Sequence, residues 1–184
     1  MNILDNVAEN SFVLILLTPD QYVSNLDDIV KSAKKSRTKI CYVCLSKPYR
    51  DVVEHLTASG IDTSGFFFVD ALTSHYKKPE PAKNCIFLNS PSDGVALKNA
   101  IRDVTEREKC SVVLFDTIST LLIYQESSEI VKLAHSLSSE IHCEVKKLFI
   151  VMKGEKYVDG QEDLTKDLEM FADKKLDMTK IQKR

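Results

Sequence analysis

Glycine is scarce in this chain, and its placement matters more than its number. The five glycines among 184 residues are Gly60, Gly65, Gly94, Gly154 and Gly160, so none precedes residue 60. That glycine-free stretch contains the first apolar run, Phe12–Leu17, and the turn Thr18-Pro19-Asp20 that follows it. A phosphate-cradling GxxxxGK[ST] turn and a dinucleotide-binding GxGxxG turn both need glycine at that place. Here Pro19 also removes a backbone N–H, and Asp20 puts a negative charge where a phosphate would sit. Three missing charge-assisted hydrogen bonds, at about 1.5–3 kcal/mol each, cost about 4.5 kcal/mol or more. That is over a thousandfold in affinity, so no nucleotide and no cofactor is expected.

Other absences narrow the class further. The longest wholly apolar run, FVLILL, is six residues, far short of the roughly 20 that cross a membrane. The start, MNILDNVAEN, has no basic region of a secretion signal. Net charge is -2 and pI about 6.1, so no whole-molecule basic field invites nucleic acid. Five cysteines, an odd number without a secretion signal, read as reduced thiols. Cys41 and Cys44 are spaced i and i+3 in a strand, so they point to opposite faces and read as core thiols, not as half a metal or redox site. The expectation is a cytoplasmic domain held by its apolar core, with no metal and no membrane contact.

What the chain does have is alternation. Apolar runs at Phe12–Leu17, Ile40–Leu45, Phe66–Val69, Cys85–Leu88, Ser111–Phe115 and Leu148–Met152, with a weaker one at Lys175–Met178, read as strands. Between them lie amphipathic stretches at helical spacing, the first carrying Val23, Leu26, Val30 and Ala33 on its apolar side. Gly60 stops the second. Continuous rather than alternating apolar strands, separated by helices, mean a mainly parallel sheet covered on both faces. One three-layer α/β/α domain over residues 1–184, with its core at about 10–178, accounts for the whole pattern.

In such sheets, ligands and partners meet the carboxyl ends of the strands. The residues there are Thr18, Pro19 and Asp20; Ser46, Lys47 and Tyr49; Asp70; Ser90; Asp116 and Thr117; and Lys153. Asp116 reads as a cation ligand or as a local cap of its own turn, and a local cap is worth about 1 kcal/mol. Asp20, Asp70, Asp116 and Lys153 form a receiver-like set but lack the paired acid after the first strand. A second feature is the basic cluster Lys31, Lys34, Lys35, Arg37 and Lys39, five charges in nine residues. It is a modest phosphate-binding patch or a solvated helix end answering the helix dipole.

Taken together, these elements resemble the RecA/KaiC-like ATPase group, including its archaeal KaiC-like members. SVVLFDTISTLL is similar to that group's Walker B strand, with Asp116 and Thr117 at the matching aspartate and hydroxyl. ICYVCLSKPYRDVVEHLTASGID resembles its second strand and helix, with Ser46 and Lys47 where active members carry catalytic acids. FFFVD, CIFLNSP and MFADKKLDM follow the group's order. The resemblance implies a RecA-like P-loop NTPase fold with strand order 5-1-4-3-2 and a degenerate Walker A position at Thr18, Pro19 and Asp20. It implies a non-catalytic regulatory, signalling or assembly module, contacting a protein partner or another copy along the edge Ser46, Lys47, Tyr49, Asp70 and Ser90. The alternatives are a nucleic-acid-associated recombination or repair accessory using the 31–39 patch, and a divalent-cation enzyme built on Asp70 and Asp116.

Overall fold

The structure, a computed structural model, describes residues 10–34, 38–153 and 161–180. Seven parallel strands make one sheet in the order β4-β3-β2-β5-β6-β1-β7. They are β1 (Phe12–Leu17), β2 (Ile40–Cys44), β3 (Phe66–Asp70), β4 (Cys85–Phe87), β5 (Val112–Asp116), β6 (Lys146–Met152) and β7 (Lys174–Asp177). With β1, β2, β5, β6 and β7 counted as one to five, the order from β7 inward is the implied 5-1-4-3-2. β3 and β4 extend the sheet past β2.

Six helices cover the sheet: α1 (Pro19–Ala33), α2 (Tyr49–Ala58), the single turn α3 (Thr73–Tyr76), α4 (Gly94–Glu108), α5 (Ser127–Glu140) and α6 (Gln161–Glu169). A 3-10 turn, Ile118–Ile123, joins β5 to α5. Side chains of β1 divide between two cores. Val13, Ile15 and Leu17 pack with Leu26, Ile29 and Val30 of α1 and with Leu56 of α2. Phe12, Leu14 and Leu16 share a core with Leu97 and Ile101 of α4, Ile130 and Leu137 of α5 and Leu164 of α6. Both faces of every central strand are therefore dry, which is why these strands read as unbroken apolar runs.

The apolar stripe of α1 runs as expected through Leu26, Val30 and Ala33 and departs only in the first turn. Val23 is 75% exposed, and the buried positions are Tyr22, Leu26, Ile29, Val30 and Ala33. Gly60 does end α2, at φ 72°, with Ile61 N–H returning to the Leu56 carbonyl. Its lack of a Cβ makes that left-handed conformation cheap.

Cys41 and Cys44 fall in opposite cores, as their spacing requires. Burial pushes up the thiols of Cys41, Cys44 and Cys85, and that of Cys110 to about 11. Cys143 alone is exposed. A thiol reagent at neutral pH is expected to modify one cysteine per native chain quickly, and Cys143→Ser to abolish that phase. A second fast thiol would mean that one of the cores opens.

Candidate functional site

The strands' carboxyl ends bring Asp70 and Asp116 to one level. Both pair in register with Cys44 of the intervening β2. Two strand spacings put their backbones roughly 10 Å apart, on the same face of the sheet. Both side chains are fully buried, and each sits in its own hydrogen-bond cage.

The Asp116 cage is built by distant parts of the chain. Tyr22 of α1 donates its hydroxyl to Oδ1 at 2.6 Å, Tyr42 of β2 donates to Oδ2, and Ser46 donates to Oδ1 at 3.2 Å. The Asp116 carbonyl accepts the N–H groups of Leu45 and Ser46. Burial pushes the carboxyl above the ordinary aspartate range, although the Tyr22, Tyr42 and Ser46 bonds and the Lys47 charge pull it down. Burial and the neighbouring Asp116 charge raise both tyrosine hydroxyls, so they stay protonated donors. Asp116 is thus not a local cap: every side-chain bond it makes reaches another element. Thr117, joined to it by a cis peptide, is buried with its hydroxyl on Thr120 at 2.8 Å.

The Asp70 cage is local by contrast. Oδ1 accepts Leu72 N–H at 2.7 Å and Thr73 N–H at 2.8 Å. Oδ2 accepts the Thr73 hydroxyl at 2.5 Å and Tyr49 N–H at 2.7 Å. This corrects the expected contact edge, because a fully buried Asp70 presents nothing to a partner. Ser46, Lys47, Tyr49 and Ser90 are each half-buried. Tyr49 leans on Phe68 and Phe87 and donates its hydroxyl to Asn84, while Ser90 accepts Ser92 N–H.

At the first turn, α1 starts directly after β1. Thr18 accepts Gln21 N–H at 3.3 Å while Gln21 Oε1 accepts Thr18 N–H at 3.0 Å, a reciprocal cap, and Pro19 has no N–H to offer. Gln21 Nε2 reaches on to the Met178 carbonyl. Asp20 is exposed, and the Lys153 ammonium lies 4.0 Å from Asp177. The receiver-like set is therefore scattered, and among the described residues no group of His, Cys, Asp and Glu could hold a metal ion.

The described members of the basic cluster, Lys31, Lys34 and Lys39, lie at the opposite, amino end of the strands. Lys34 is engaged by Asp62 and lies over Phe66, Lys39 lies over Phe67, and Lys31 is exposed. Lys35 and Arg37 fall outside the described residues. The residues that sequence reasoning missed are Tyr22 and Tyr42. The Asp-Ala-Leu-Thr run at 70–73 did carry a signal, since an aspartate three residues before a threonine suits a capping turn.

No family model and no curated protein matches the chain. Solved structures do. A KaiC-like protein, PH0186 from the hyperthermophilic archaeon Pyrococcus horikoshii, superposes with a TM-score of 0.63 at 13% identity, over 94% of this chain and 74% of that one. A second P. horikoshii protein, PH0250, gives 0.58 at 12% identity, over 98% and 89%. The chain therefore has the RecA/KaiC-like three-layer α/β/α fold. Among the described residues no helix is long and apolar enough to cross a membrane.

Proposed function

We propose that this chain is a KaiC-like domain that neither binds nor hydrolyses nucleotide, and that it serves in the cytoplasm as a regulatory, signalling or assembly module through protein–protein contact. The observation that carries this reading is the Asp116 cage. Two tyrosines and a serine occupy the carboxylate that matches the Walker B aspartate in the resemblance, and one of them, Tyr22, comes from the helix that follows the degenerate Walker A position. The reciprocal cap of Thr18 and Gln21 adds to it, because it uses helix-start donors internally.

The same cages speak against a cation enzyme on Asp70 and Asp116, whose oxygens already accept seven side-chain and backbone donors between them. A nucleic-acid role for the 31–39 patch is weakened by the engagement of Lys34 with Asp62.

Titration calorimetry with ATP and magnesium tests the reading. The expected dissociation constant is about 1 mM or weaker, and a value of about 10 μM or tighter overturns it.

A further inference from the structure

We draw no further inference here: the strongest candidate, the cleft of about 830 Å³ between the C-terminal ends of α4 and α5, rests on the lone exposed thiol of Cys143, and its wall sets Glu106 and Glu144 beside Lys109 and His142, so nothing in it selects a ligand.

Discussion

Asp70→Ala is expected to be among the most destabilising single substitutions in this protein, at about 4 kcal/mol or more. Alanine leaves the N–H groups of Tyr49, Leu72 and Thr73 and the Thr73 hydroxyl without their acceptor. Each unsatisfied donor costs about 1–3 kcal/mol, and water can relieve part of it only at Tyr49, whose bond is not fully buried. For a chain of this length the melting temperature would fall roughly 8–16 °C. Asp70→Asn separates the bonds from the charge. Its Oδ1 keeps Leu72 and Thr73 N–H, and the Thr73 hydroxyl can turn to accept from Nδ2, so Tyr49 N–H alone is opposed and about 2 kcal/mol is lost. Urea unfolding of the three proteins measures both values. A loss below about 1 kcal/mol for the alanine variant would show that Asp70 does not fasten the β3 loop to α2.

The contrast between the two cages also shows how far residues alone could be read. Strand positions were legible because both faces of the sheet are covered, so FVLILL, ICYVC and VVLFD stand out as unbroken runs. The five-strand core order followed from the resemblance. The first-turn member of the α1 stripe was not legible, although Leu26, Val30 and Ala33 were. A stripe through Val23 and one through Tyr22 fit the helical period almost equally, and only a hydroxyl partner 94 residues away decides between them. Asp116 was misread for the same reason: its partners lie 94, 74 and 70 positions away, and spacing carries no trace of them. Asp70 bonds mostly within three residues, so its role was written locally, in Asp-Ala-Leu-Thr. The turn α3 was hidden in the polar run SHYKKPEPAKN, whose two prolines argue for loop.

Asp116 gives the other large effect, and its signature is in pH. At pH 7, Asp116→Ala strands the hydroxyls of Tyr22, Tyr42 and Ser46, and about 2–3 kcal/mol is expected to be lost, not the 1 kcal/mol of a local cap. Tyr42→Phe, which removes one donor from a buried carboxylate, is expected to cost about 2 kcal/mol. Burial holds the native pKa of Asp116 above its ordinary value, whereas in the unfolded chain it titrates near about 3.9. Below that pH the group is protonated in both states and its contribution to stability is fully present. As pH rises through the native pKa, the unfolded chain has already released its proton, and the contribution is lost. Asp116→Asn has nothing to titrate there. The stability of the wild type minus that of Asp116→Asn is therefore expected to fall from pH about 4 upward and to level off above the native pKa. Carboxyls of the opposite kind cancel in that difference. One is Asp62, held down to about 2 by the Ser64 N–H and by Lys34. A difference curve that stayed flat or climbed with pH would mean that the three hydroxyl bonds outweigh burial, and that the cage holds a contented carboxylate instead of a reluctant one.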